Sequence, residues 1–409
     1  MVQAGRRPDV SETIPFNRPG LAGDEFRYIW GSIVHGHCSG DGEFTRRCQA
    51  LLGDFMGGSR TFLTTSCTHA LELCALLLEF REGDEVIVPS YTFVSTVNAF
   101  VLRGARPVFS DIRPDTFNLD EQQLESLITP RTKAIVPVHY AGVGCEMDAI
   151  AEIASRHGVA VVEDNAHGLL GSYRGRPLGT FGQLSTLSFH ETKNFSCGEG
   201  GALVINDPRY TDRAEILREK GTNRSRFFRG MVDKYTWVDA GSSYLPSDIL
   251  AAFLLAQLEK WKEIQNRRKQ IWRHYAERLG EPAPEHGFRL PVVPEHCKQA
   301  YHMFYLLAPT LAARQELISY LKSKGIQAVF HYVPLHSSEM GRRFGAKEED
   351  CPVTNDVSDR VVRLPFFNDL TLEQQDRVIE AIQEFWSQSE RVLVPGLSLS
   401  PYATKGTGL

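Results

Sequence analysis

Seven short runs rich in β-branched and other apolar residues recur between residues 60 and 206, with helical patterns between several of them. No other feature constrains this chain as strongly. The runs lie at 60–64, 85–89, 106–111, 133–139, 159–163, 185–189 and 201–205, and helical stretches are predicted at 68–80, 119–128 and 147–157. Near-continuous apolar strands joined by helices require a largely parallel sheet covered on both faces, an α/β architecture. The first helix carries Leu71, Leu73, Leu76, Leu77, Leu78 and Phe80 nearly all round its circumference, so it belongs under that sheet.

Past Gly241 the pattern turns helical, through residues 250–261 and on to about Leu279. A Pro- and His-rich connection follows at 280–299. Strands are predicted at 301–308 and 328–333, with a helix at 311–324 between them. The last helix, 372–386, sets Val378, Ile379, Ile382, Phe385 and Trp386 on one face. This is a compact α+β unit. A chain of 409 residues suits this division. We expect an N-terminal segment (1–20), a large domain (21–265), a small C-terminal domain (266–388) and a flexible tail (389–409), whose Gly, Pro, Ser and Thr content from Val394 onward suits loose packing.

The net charge of −5 argues against a nucleic-acid binder, which would show a strongly basic face. The opening residues lack the apolar stretch of a signal peptide, and no run approaches a membrane span. Eight cysteines without a C-x-x-C pair fit free thiols in a reducing cytoplasm. His190-Glu191 has no second histidine at helical spacing, so no metal site is expected.

Four segments carry candidate chemistry. In SFHETKN followed by GEGG, Lys193 sits at a polar turn between two strands, and partial burial there would lower its pKa for Schiff-base chemistry. A lysine taken alone is usually a solvated surface charge. In VVEDNAH an apolar strand delivers Asp164 to the carboxyl edge of the sheet, where ligands bind in such folds. The plainer role is a helix N-cap. Thr64 to His69 forms a strand-to-helix junction, whose hydroxyls and free N–H groups suit a phosphate. Phe93, in PSYTFVST, is an aromatic able to stack on a planar ring, although such residues are more often core. Together they are the parts of a pyridoxal-phosphate site.

The combination of PSYTFVSTVNAFVLRGA, VHYAG, VVEDNAHG, SFHETKN, GEGG and FHYVPLH resembles the DegT/DnrJ/EryC1/StrS sugar aminotransferases, from about Ile14 to the last helix. The resemblance implies a fold-type I architecture and pyridoxal 5'-phosphate as cofactor, cycling through pyridoxamine 5'-phosphate. It implies that Lys193 carries the cofactor and shuttles the proton, and that Asp164 pairs with the pyridine nitrogen. His167 would lie near the ring hydroxyl, and Phe93 would stack on the ring. The backbone of Cys67 and Thr68 and the hydroxyl of Ser188 would hold the phosphate. Two departures stand out: Cys67 replaces a common glycine, and Ser243 replaces the asparagine that reaches the partner subunit's phosphate in a shared dimer site.

The stretch EKGTNRSRFFRGMVDKYTWVDAGSSYL resembles the subgroup that aminates C4 of dTDP-4-keto-6-deoxyglucose, with L-glutamate as donor. Arg224, Arg226, Arg229 and Lys234 are candidates to meet the diphosphate. His331 and Tyr332 are candidates to border the sugar. Three alternatives stand beside this reading: C3 amination, a sugar 3-dehydratase (which would replace Lys193 by histidine) and a non-catalytic cofactor-binding regulator.

Overall fold

The computed structural model describes residues 13–389; the segment before them and, except for Ser389 at the end of the last helix, the tail expected at 389–409 lie outside the described residues. All seven runs form one sheet. They are β1 (Arg60–Thr64), β2 (Glu85–Pro89), β3 (Arg106–Ser110), β4 (Thr132–Ile135), β5 (Ala160–Asp164), β6 (Leu184–Ser188) and β7 (Gly201–Ile205). Their order is β1-β7-β6-β5-β4-β2-β3. Every pairing is parallel except those of β7, which runs antiparallel to both β1 and β6. β6 passes to β7 through a hairpin-like turn, whereas β1, β2 and β4 are followed by the helices Cys67–Leu77, Val94–Val101 and Met147–His157. β2 and β7 are buried throughout, as near-continuous apolar runs in a covered sheet must be.

This topology brings the carboxyl ends of β1, β5 and β6 and the start of β7 to one edge. Gly201 is registered with both Thr64 and Ser188. It must be glycine, because a Cβ there would come within 2.3 Å of Cys67 N and the Ser66 carbonyl carbon. Ser66 caps the following helix, its hydroxyl accepting from His69 N at 3.1 Å.

A second core gathers Ile271, Tyr275, Phe304, Leu317, Val362, Ile379, Ile382 and Trp386. Ile14 joins it, bridging to Ile326, so the N-terminal segment is stitched to the C-terminal unit. The division expected at 265/266 falls inside the helix Trp261–Gly280. Its Ile264 packs with the sheet-side cluster of Leu254 and Leu258, while Ile271, Tyr275 and Leu279 belong to the second core.

Four expected elements differ. The 133–139 strand stops at Ile135, leaving only a bridge from Val138 to Asp164, because Pro137 has no N–H to give a ladder. The 119–128 helix is reduced to two short turns, Glu121–Gln123 and Leu124–Leu127. The 301–308 strand shortens to Tyr305–Leu307; Tyr301, at φ +53°, cannot be extended. The 328–333 strand makes a single bridge, Val329–Arg363, before the chain leaves for the sheet unit, where Leu335 N donates to Ser90 O. Among the described residues no helix is long and apolar enough to cross a membrane.

Candidate active site

Asp164 ends β5, buried at 5% exposure. One carboxylate oxygen accepts from Thr96 Oγ1 at 2.7 Å and the other from Ala166 N at 3.1 Å. Thr96 in turn pairs with Thr92 Oγ1 at 2.8 Å. The carboxylate is therefore held in one orientation from the first turn of the helix that Phe93 opens. Behind it, Cys145 N donates to His139 Nδ1, which leaves Nε2 carrying the proton toward Glu163 at 2.9 Å. Glu163 also accepts from the backbone of Gly179, Phe181 and Gly182. This buried network fixes the strand end that presents Asp164.

Lys193 lies in the turn from β6 to β7, half-buried. Burial lowers its pKa from 10.5 to about 8, a fall aided by the charge of Arg363 and opposed by Cys67 and Asp164. Among the described residues its ammonium makes no hydrogen bond or ion pair. Asn194 pins the turn, donating to Ala300 O at 2.7 Å and sitting 3.0 Å from His302 Nδ1.

Cys67 and Thr68 are the first residues of their helix, so no preceding turn satisfies their N–H groups. The glycine-to-cysteine departure is accommodated because the thiol turns onto Thr186 Oγ1 at 3.5 Å. Burial holds that thiol protonated, pushing its pKa up to about 12. Thr68 Oγ1 donates to Ser95 Oγ at 2.8 Å, tying the helix start to the segment after Phe93. Ser188 stands opposite Gly201 at the same edge.

The far wall is aromatic. His167 stacks on His302 with centroids 4.1 Å apart, and its Nε2 lies 3.3 Å from Tyr332 Oη. Burial pushes both histidines below the usual imidazole range. His167 Nδ1 is buried and has no partner among the described residues. His331 stacks on Tyr332 at 3.6 Å and pairs with Tyr140 Oη at 2.8 Å. Phe93 is 57% exposed, with its ring 6.4 Å from Tyr332.

The structure thus brings together Lys193, Asp164, Cys67, His167, His331, Tyr332 and Phe93. The basic stretch is arranged differently. Arg224 pairs with Glu219 at 3.0 Å, Arg226 with Asp212 at 2.9 Å, and Arg229 grips Glu215 at 3.0 and 2.7 Å. Lys234 is exposed. Within one chain these arginines already have counterions, and none is seen in contact with the Lys193 cluster. Ser243 is exposed and bridges to Glu219, beside the Tyr244 carbonyl that accepts from Thr65 N. Thr96, Asn194, His302, Tyr140 and Arg363 were not singled out from the sequence. Thr96, Asn194 and Tyr140 lie within PSYTFVST, SFHETKN and VHYAG, but each of the five acts through a contact distant in sequence.

These residues fit pyridoxal phosphate. An amine of lowered pKa, an oriented buried carboxylate, an orphaned imidazole nitrogen, a helix start with free N–H groups and an open aromatic face are what the cofactor requires. Fold and site together define a fold-type I pyridoxal-phosphate enzyme. The chain belongs to the DegT/DnrJ/EryC1/StrS aminotransferase family, whose profile matches residues 22–383. It is 34% identical to the protein MJ1066 of Methanocaldococcus jannaschii over 355 residues, 85% of this chain and 91% of that one. DesV of S. venezuelae, solved in complex with a ketimine intermediate, is 30% identical with a TM-score of 0.84, covering 92% of this chain and 99% of DesV. Spr1654 of Streptococcus pneumoniae, solved in a PLP form, is 27% identical with a TM-score of 0.85, covering 93% and 100%. The protein is a pyridoxal-phosphate-dependent aminotransferase.

Proposed function

We propose that this enzyme moves an amino group from L-glutamate to C4 of a dTDP-4-keto-6-deoxyhexose, giving a dTDP-4-amino-4,6-dideoxyhexose. The observation that carries the reading is the poised Lys193 amine beside an oriented Asp164, facing a wall built mainly of aromatic and imidazole groups. A sugar ring suits that wall, since aromatic faces and fixed hydroxyl partners are how polar, uncharged rings are held. The sugar-aminotransferase designation of Spr1654 supports the substrate class. The likeness of residues 219–245 to C4-aminating enzymes supports the position.

Bound pyridoxal phosphate supplies a carbonyl for amine exchange and a ring that draws electrons from the reacting carbon. The chain does the rest. Asp164 keeps a positive charge in place at the ring nitrogen, its own carboxylate fixed by Thr96 and Ala166. Lys193 Nζ, neutral in a useful fraction near pH 8, takes the proton from the donor's α-carbon and later returns one to the sugar carbon. His167 Nδ1 is free to meet the ring hydroxyl, and the Cys67 and Thr68 N–H groups with Ser188 hold the phosphate. Phe93 covers one ring face.

The reading includes a cytoplasmic homodimer with Ser243 reaching the partner's site. Exposed apolar side chains on the helix Glu25–Val34 (Phe26, Trp30) and at Phe228, Met231 and Trp237 support a covered face. Incubation with L-glutamate and dTDP-4-keto-6-deoxyglucose, followed by product structure determination, tests the reaction. A 4-amino sugar is expected. Amination at C3, or none with this sugar while another ketone reacts, would reject the C4 assignment. Light scattering tests the dimer, and a fully active monomer would reject it.

A further inference from the structure

The sense of one hydrogen bond in the far wall decides what His167 can offer the cofactor. His167 follows Asp164 in the turn after β5 and is buried, so its ring is carried to the same sheet edge. Its plane is set by the stack on His302, where the two rings lie 18° apart. His302 is itself fixed. Asn194 Nδ2 donates to Ala300 O and Gln265 Oε1, so Asn194 Oδ1 is left to accept the proton on His302 Nδ1. The two nitrogens of His167 then have different surroundings. Nε2 lies 3.3 Å from Tyr332 Oη, whereas Nδ1 is buried without a partner among the described residues.

Both members of the pair are neutral. Burial pushes the Tyr332 hydroxyl above the usual phenol range and the His167 imidazole below its own, the latter helped by the charges of Lys193 and Arg363. Their hydrogen bond could run in either sense. If Nε2 carried the imidazole proton, the Tyr332 O–H would have no acceptor among the described residues. If Tyr332 donates, its proton is satisfied at Nε2, and the single imidazole proton must sit on Nδ1. Arg363 favours the second sense, because its positive charge is felt at Tyr332 and draws the lone pairs of Oη, which leaves the O–H for the imidazole. A buried N–H without an acceptor is costly. The chain supplies none at Nδ1, and the ring oxygen of pyridoxal phosphate, acidic and readily anionic, is an acceptor of the right kind.

We propose that Tyr332 is a positioning residue: its hydroxyl holds His167 as the Nδ1–H tautomer and so makes the imidazole a hydrogen-bond donor to the ring oxygen of the cofactor. The proposal rests on His167 facing that oxygen. Tyr332 then acts through His167 whether or not a sugar is bound.

The test begins with the full chain stripped of cofactor and carrying isotope-labelled histidine, the His167 signals being those that vanish in His167→Gln. Nitrogen NMR at neutral pH should place the proton on Nδ1. In Tyr332→Phe, which keeps the ring against His331, that preference should be lost. A proton on Nε2 in the unsubstituted chain, or one unmoved from Nδ1 in Tyr332→Phe, would overturn the proposal. The second measurement is equilibrium binding in a Lys193→Ala background, where the cofactor cannot be captured covalently. Pyridoxal phosphate is compared with the analogue lacking the ring hydroxyl. Tyr332→Phe should cut the preference for pyridoxal phosphate about tenfold, through loss of a hydrogen bond to a charged oxygen. In a His167→Gln background an amide N–H is available whatever Tyr332 does, so Tyr332→Phe should leave the preference unchanged. Equal losses in both backgrounds would show Tyr332 meeting the ring by itself and would also overturn the proposal. If the Lys193→Ala chain bound both compounds equally, the reading that His167 faces the ring oxygen would fall, and the proposal with it. A clear preference that Tyr332→Phe does not diminish sinks the proposal alone.

Discussion

The titration of Lys193 offers the most direct quantitative test of this site. With a pKa of about 8, roughly one amine in ten is neutral at pH 7, against about three in ten thousand for a lysine at 10.5. Only the neutral amine attacks an aldehyde, so cofactor capture by the stripped protein should be about 300-fold faster than by a solvated lysine of equal nucleophilicity. The assay mixes apoprotein with pyridoxal phosphate across about pH 6 to 10 and follows the visible absorption of the lysine-bound cofactor. Log rate should climb with unit slope, break near pH 8 and then level. Two substitutions should move the break in opposite directions. Arg363→Gln removes a positive charge that disfavours the ammonium, so the break rises. Asp164→Asn removes a negative charge that favours it, so the break falls. A break near 10 in the unsubstituted protein would refute the burial argument. Shifts of the same sign in both variants would refute the charge arrangement.

Three further outcomes are expected. Asp164→Ala should cut turnover by about 100-fold or more, and Thr96→Val by about tenfold through loss of one hydrogen bond to a charged group; steady-state kinetics at saturating substrates would show it, and near-normal rates in Asp164→Ala would reject its role. Gly201→Ala should lower stability by about 1–3 kcal/mol, since its Cβ meets backbone that cannot yield, and should weaken cofactor retention; denaturant unfolding and dialysis measure both. Glu163→Gln places an amide among three backbone N–H donors and the His139 proton, costing about 1–3 kcal/mol; an unfolding midpoint that did not move would reject the assigned network.

The sheet was legible because each strand announces itself locally, as an apolar run of five or so residues. Asp164, Cys67, Ser188 and Lys193 were legible for the same reason, since each stands at or just after the end of such a run. What escaped sequence reading depends on chain crossings. Thr96 meets Asp164 across 68 residues, His302 meets Asn194 across 108, and Tyr140 meets His331 across 191. Arg363 reads as an ordinary charge in RVVRLPFF, and only the antiparallel pairing with Tyr305 sets it on the wall facing Lys193. The arginines of NRSRFFRG show the converse, a conspicuous basic run whose charges are matched by Glu215, Glu219 and Asp212 once the chain folds.

The single reversed strand has a mechanical consequence. Because β7 returns beside β6, the turn bearing Lys193 is clamped at both feet to the same sheet edge. It is laced internally by Phe189 N to Gly200 O and Glu191 N to Gly198 O. Such a turn acts as an anvil, because it cannot swing outward without unzipping the sheet. The opposite wall, carrying His302, His331, Tyr332 and Arg363, hangs from the unit joined through the long helix Trp261–Gly280. Any opening that admits substrate and any closing that expels water then falls to that wall, against a stationary lysine.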